Sequence, residues 1–260
     1  MGKLAALGNH GFHTPHALTM HREVVNLTGQ ARPNVVLIAL ASGDDPGYIR
    51  SFEQLYHGML GCKTDVLLLR GVSHPPENAK ELISQASLIF FGGGENVSAI
   101  AQIKRMGIAD WITAAYKRGA TVAGEGLGAK ILFEGGYAFS MTGIGIETPI
   151  VITLQGLGLL HGVLCIAAHN SLVAEEFAAS MLGKNNLGFA LSADNGLFVE
   201  DNSYRTIAFG GQPLFNRITA NESLADFTPV FSEKPLPLAY LYEGEPTGIV
   251  LRSYEQHRRR

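Results

Sequence analysis

Gly119-Ala120-Thr121-Val122-Ala123-Gly124-Glu125-Gly126-Leu127-Gly128-Ala129-Lys130-Ile131-Leu132 is the stretch whose reading decides the fold. Thr121-Val122-Ala123 is short, apolar and partly β-branched, and follows a helical pattern that ends at Gly119, so it reads as a buried strand. Leu127 onward is apolar at helical spacing. Between the two lies Gly124-Glu125-Gly126-Leu127-Gly128. A strand that turns sharply into a helix through glycines on either side of one central residue is a nucleophile elbow, which lifts that residue above the sheet. Here the central residue is Gly126, which has no side chain to attack anything. The sequence keeps the frame of a catalytic turn and lacks its reactive atom.

Working outward, apolar runs and helical patterns alternate. Leu4–Leu7, Val35–Leu40, Val66–Leu69 and Leu88–Phe91 read as strands. The unbroken apolar character of the second is that of a strand covered on both faces. Helical spacing joins Ala17, Met20, Val24 and Leu27, with Thr14 as the expected cap and Pro15 at the first position. It recurs over Ile49–Met59, Pro75–Gln85, Val97–Met106 and Ala109–Arg118. This alternation predicts an α/β fold with a doubly wound, mostly parallel sheet between helices, in which ligands bind beyond the carboxyl ends of the strands. Past the elbow the pattern loosens into a hairpin-rich last third. Strands are expected at Pro149–Leu154 and Val163–Ala168, and a helix at Leu172–Leu182. A hairpin is expected to turn at Asp194-Asn195-Gly196, with further strands at Tyr204–Phe209, Leu238–Tyr242 and Gly248–Leu251. No repeat or linker divides the 260 residues, so one domain is expected, 1–260.

Composition narrows the function classes. A net charge of −3 with 17% charged residues offers no basic stripe for nucleic acid, and Arg258-Arg259-Arg260 reads as a solvated tail. No apolar run is long enough for a membrane span or a secretory signal. Cys62 and Cys165 are far apart without metal-ligand spacing, as in a reduced, cytoplasmic protein. His10, His13, His16 and His21 are close in sequence, but Pro15 and neighbouring glycines break any common helical face, so no metal and no cofactor are expected.

Several segments together resemble the dipeptidase E and cyanophycinase family of serine peptidases. Ala39-Leu40-Ala41-Ser42-Gly43-Asp44-Asp45 is similar to the loop after an early strand of that family, and Phe91-Gly92-Gly93-Gly94-Glu95-Asn96 to its glycine-rich loop. Gly124-Glu125-Gly126-Leu127-Gly128-Ala129 lines up without a gap on its Gly-x-Ser-Ala-Gly-Ala elbow. Gly156-Leu157-Gly158-Leu159-Leu160 followed by His169 is similar to the run leading to its catalytic His. The resemblance covers about residues 34–210 and leaves 212–260 as a less patterned extension. It implies a class I glutamine-amidotransferase-like α/β fold and a site at the elbow.

Carried over residue by residue, the resemblance puts the family's nucleophilic Ser on Gly126 and its His on His169, one residue of insertion being needed. The acid falls near Ser192-Ala193, with Asp194 the nearest carboxylate. A triad needs a nucleophile, a base and a group that orients the base. Without the nucleophile, backbone donors and binding alone leave about 10³-fold acceleration over water. Gly93, Gly94, Glu95 and Asn96, together with Glu125 and the N–H of Leu127, are the candidate ligand-binding residues; the glycine loop suits an oxyanion or carboxylate. Glu125 is expected to bring a carboxylate to the mouth of the site, either as a ligand contact or general base or as a plain surface residue. Two readings follow. One is a family homologue with a degenerate triad that binds a small peptide or amino-acid-like ligand without catalysis. The other is an active hydrolase of short acidic peptides or a related amide, using Cys165, Ser171 or a bound water in place of the serine. A homodimer is open as the assembly.

Overall fold

The computed structural model describes residues 2–9, 11–140, 150–167, 171–184, 186–210 and 213–243. In chain order the elements are β1 (Leu4–Leu7), α1 (Ala17–Leu27), β2 (Asn34–Ile38), α2 (Pro46–Glu53), β3 (Lys63–Val66), α3 (Ala79–Gln85), β4 (Leu88–Phe91), α4 (Ala99–Arg105), α5 (Ile108–Lys117), β5 (Thr121–Glu125) and α6 (Leu127–Leu132). They continue as β6 (Phe133–Ser140), β7 (Ile150–Gln155), β8 (Leu160–Ala167), α7 (Ser171–Met181), β9 (Leu187–Ser192), β10 (Asn195–Glu200), β11 (Ser203–Ala208), β12 (Phe215–Ala220), β13 (Ala225–Pro229), β14 (Leu236–Pro237) and α8 (Leu238–Glu243).

The fold is α/β, as the alternation predicts, with two sheets. The eight-stranded sheet has the order β14-β11-β10-β1-β5-β4-β2-β3. Its half from β1 to β3 is parallel throughout, and β10 joins antiparallel at β1. Period-two alternation explains the unbroken apolar runs. Leu4, Ala6, Val36, Ile38, Ile89 and Phe91 pack into one layer with α3, α4 and α5, and Ala5, Leu7, Val35, Leu37, Leu88 and Phe90 into the other with α1 and α2. The second sheet, β13-β12-β9-β8-β6-β7, is mixed. Among the described residues, no helix is long and apolar enough to cross a membrane.

Several local expectations give way. α1 starts at Ala17 with His16 at its N-cap and no side-chain cap bond, so Thr14 is not its cap. The expected Ile49–Met59 helix is α2 followed by a π-helical turn at Gln54–Met59, which buries Leu55 and Tyr56 in succession. Residues 194–196 form no hairpin. Instead the chain leaves β9 in one sheet and enters β10 in the other. The hairpin lies one strand later, between β10 and β11, where Asp201 and Asn202 take positive φ of 48° and 61°, the paired left-handed geometry of a tight turn. Residues 238–242 are helical in α8 rather than extended, and Gly248–Leu251 lies outside the described residues.

Candidate functional site

Register brings the carboxyl ends of four parallel strands level. Leu7 pairs with Glu125, Phe91 with Gly124, and Ile38 with Phe91. The loops that leave these ends are therefore neighbours: Gly8-Asn9, the elbow, Gly92–Gly94 and Leu40–Asp44.

At the elbow β5 runs through Glu125 and α6 starts at Leu127. Between them Gly126 has φ 54° and ψ −117°, a conformation in which side chains are strained. Its N–H is shared between the carbonyls of Leu7 and Gly8, at 3.2 and 3.1 Å, which ties the turn to the end of β1. The flanking glycines are fixed by close approach. A Cβ on Gly124 would collide with the Gly128 carbonyl, and one on Gly128 with the Phe91 carbonyl.

The glycine loop is shaped in the same way, by three different neighbours. The Tyr48 ring fills the space beside Gly92, Glu125 lies against Gly93, and the Ala41 carbonyl blocks any side chain on Gly94. Tyr48 is placed there by the start of α2, where Asp45 caps the Tyr48 N–H at 2.8 Å and Pro46 opens the helix.

Glu125 overturns its expected position. It is 1% exposed and does not reach the mouth of the site. The strand continues two residues beyond Ala123, so period two turns the Glu125 side chain the same way as Ala123, into the α1/α2 layer. There Glu125 Oε1 accepts a hydrogen bond from the Tyr48 hydroxyl at 2.6 Å, and the Tyr48 oxygen accepts the Gly93 N–H at 2.7 Å. His21 Nε2 lies 3.9 Å from Glu125 Oε2, while His21 Nδ1 and the Tyr56 hydroxyl are 2.9 Å apart. Burial pushes the Glu125 carboxyl up to about 7, against the lowering effect of the Tyr48 and Gly93 hydrogen bonds. Burial, then the neighbouring Glu125 charge, holds the Tyr48 hydroxyl well above its ordinary value, so it remains a donor.

This network also corrects the expected donors of the glycine loop. The Gly92 N–H goes to the Ile38 carbonyl at 3.0 Å and the Gly93 N–H to Tyr48, so neither faces a ligand. The N–H groups of Gly94 and Leu127 find no acceptor among the described residues. Gly94 and Glu95 are exposed. Asn96 is engaged in shaping the loop: its Nδ2 donates to the Leu40 carbonyl at 3.0 Å, and its Oδ1 accepts from the Ser98 hydroxyl at 2.7 Å.

Of the remaining expected residues, His169 lies outside the described residues, so its place beside Gly126 is not part of this geometry. Asp194 follows β9 on the segment Ser192–Ala193, whose carbonyls press against Gly8, next to the elbow's own anchor. Cys165 is 1% exposed in β8, and burial pushes its thiol to about 12, far from a thiolate nucleophile at neutral pH. The side chain of Ser171 is outside the described set. Sequence reasoning missed Tyr48, which reads as an ordinary helix residue, and His21, weighed only as a metal ligand. Among the described residues no group of three His, Cys, Asp or Glu gathers as metal ligands.

An elbow at the carboxyl edge of a parallel sheet, beside a glycine loop, defines a hydrolase-type α/β scaffold. The sequence profile of peptidase family S51 matches residues 4–207, and the chain belongs to that family. The match starts at β1, thirty residues before the resemblance carried by the motifs. The chain is 26% identical over 257 residues to the uncharacterized peptidase YgaJ of Bacillus subtilis (strain 168), covering 93% of this chain and 100% of that protein. Its fold is similar to the crystal structure of a peptidase from an acI-B1 Actinobacterium, with a TM-score of 0.64, 14% identity and coverage of 91% of this chain and 97% of that one. It is also similar to a Listeria monocytogenes EGD-e protein assigned to peptidase E, with a TM-score of 0.57, 14% identity and coverage of 80% and 98%.

Proposed function

We propose that this S51-family chain binds a small peptide or amino-acid-like ligand at its elbow without covalent catalysis. The observation that carries this reading is the bare turn at Gly126. The elbow's strained geometry is present, and the position that would carry the attacking atom has none. The N–H groups of Gly94 and Leu127, without acceptors among the described residues, support it, since fixed backbone donors hold an oxyanion or a carboxylate whether or not a nucleophile stands beside them. Two free, buried cysteines suit a reducing compartment such as the cytoplasm.

The alternative is a hydrolase with a substitute nucleophile. The His–Ser contact that it would need is present in form: His13 Nε2 lies 2.7 Å from Ser51 Oγ on the exposed face of α2. The Ser51 hydroxyl also donates to the Gly47 carbonyl at 2.9 Å, which makes His13 the donor to serine and the wrong partner to take its proton. The test is a fluorophosphonate probe combined with a thermal-shift screen of dipeptides. The proposal expects no labelling and a dipeptide-dependent shift. Stoichiometric labelling, mapped by mass spectrometry to Ser51 or another residue, replaces it with the hydrolase reading.

A further inference from the structure

We infer that Glu125 and Tyr48 are positioning residues for the elbow site: they hold the Gly93 N–H inward, and an anion bound on the outer side of the glycine loop brings a proton onto Glu125. This inference rests on the proposal that the elbow site takes a carboxylate-bearing ligand.

The directions of the hydrogen bonds are fixed by chemistry. A backbone N–H can only donate, so the Tyr48 oxygen accepts from Gly93, and its single proton goes to Glu125 Oε1. The chain Gly93–Tyr48–Glu125 therefore runs one way and ends on a buried carboxylate. That carboxylate lies directly beneath the loop, with Oε1 3.3 Å and Cγ 3.4 Å from the point where a Cβ on Gly93 would sit. Only the thickness of the glycine backbone separates it from the exposed Gly94, whose N–H is without an acceptor among the described residues. A negative charge bound there and the buried Glu125 carboxylate repel, and the burial of Glu125 weakens the screening.

Of the other groups facing Glu125, one stands within ion-pair range. From α1 comes His21, whose Nε2 is 3.9 Å away, beyond hydrogen-bond length. From the π-helical turn comes Tyr56, next to Cys62, whose thiol burial pushes to about 11. Phe12, Phe52 and Phe90 complete the enclosure with apolar rings. Protonation of Glu125, the acid that lies against Gly93, relieves the repulsion directly. The raised carboxyl makes this reachable near neutral pH. The sign follows: a carboxylate ligand binds more tightly as pH falls through about 7, and its binding raises the proton affinity of Glu125 further.

The test uses the full chain with N-acetylglycine as the carboxylate probe. In the free protein the Gly93 amide resonance should titrate with a midpoint near 7, and the titration should vanish in Glu125→Gln and Tyr48→Phe. Calorimetry in two buffers of different ionisation enthalpy should show proton uptake approaching one per bound N-acetylglycine at pH 8, with affinity falling about tenfold per pH unit above the midpoint. Glu125→Gln should bind with no proton uptake and no pH slope. A flat Gly93 resonance in the unmodified protein overturns the inference, as does proton uptake that survives in Glu125→Gln, which assigns the proton to His21. A titrating Gly93 with no N-acetylglycine binding at any pH keeps the positioning network and defeats the ligand reading instead. Should Glu125→Gln fail to fold, His21→Gln separates the two buried groups: proton uptake that persists there supports Glu125, and uptake lost there overturns the inference.

Discussion

Asn9 Oδ1 lies 3.0 Å from the point that a Cβ on Gly126 would occupy, with Asn9 Cγ at 3.4 Å. The loop after β1 thus covers the space into which a side chain at residue 126 would project. Gly126→Ser meets two obstacles: a φ of 54° and this side chain. It should destabilise the protein by about 1–3 kcal/mol in urea denaturation. Asn9→Ala should return part of that loss, with a coupling energy of about 0.5 kcal/mol or more in a double-mutant cycle. Strict additivity would mean that backbone strain alone is responsible.

Glu125 should give the protein an unusual stability profile. Its carboxyl is raised from 4.5 to about 7 in the folded state. A raised acid binds protons more tightly folded than unfolded, so its contribution is fully present below 4.5, declines between 4.5 and 7, and is gone above. The fall amounts to roughly 3 kcal/mol. Glu125→Gln should therefore be more stable than the unmodified protein at pH 8 and should lack this decline. Chemical denaturation at pH 5, 6, 7 and 8 tests it, and parallel profiles for the two proteins would contradict it.

The buried strands were legible because their signal is local. Leu4–Leu7 and Leu88–Phe91 carry their apolar runs over the residues that pair. The edge strand was not. β3 occupies Lys63–Val66, whose residues alternate between exposed and half-buried, while the apolar Leu67 and Leu69 lie just beyond it. A strand with one neighbour and one wet face need not be apolar. The second sheet was largely hidden because its pairings are distant in sequence, such as β9 with β12. At the site, the turn at Gly126 could be read from its glycines. The burial of Glu125 could not, because it depends on two extra strand residues and on Tyr48, 77 positions away.

Cys165 should behave as an inert core residue. With its thiol at about 12 and 1% exposed, it should resist iodoacetamide at pH 8 under native conditions and react only on unfolding. Rapid native-state alkylation at Cys165, followed by mass spectrometry, would reopen it as a nucleophile.

Glycines of this chain should differ sharply in their tolerance of alanine. Gly128→Ala drives a methyl into the Phe91 carbonyl, a backbone atom that cannot step aside, and should lower stability by about 3 kcal/mol or prevent folding. Gly58→Ala, in the π-helical turn, meets nothing within 4 Å and should change stability by less than about 1 kcal/mol. Thermal melts of the two variants give the comparison directly.

The interlock of Gly124 with Gly128, and of Gly128 with Phe91, has a consequence for descent as well as for packing. These contacts are backbone against backbone, so the shape of the turn does not depend on what residue 126 carries. A side chain at position 126 would meet first the movable side chain of Asn9. A lineage on this scaffold can therefore shed or regain its reactive atom through a change at one codon while the surrounding cradle is inherited unaltered.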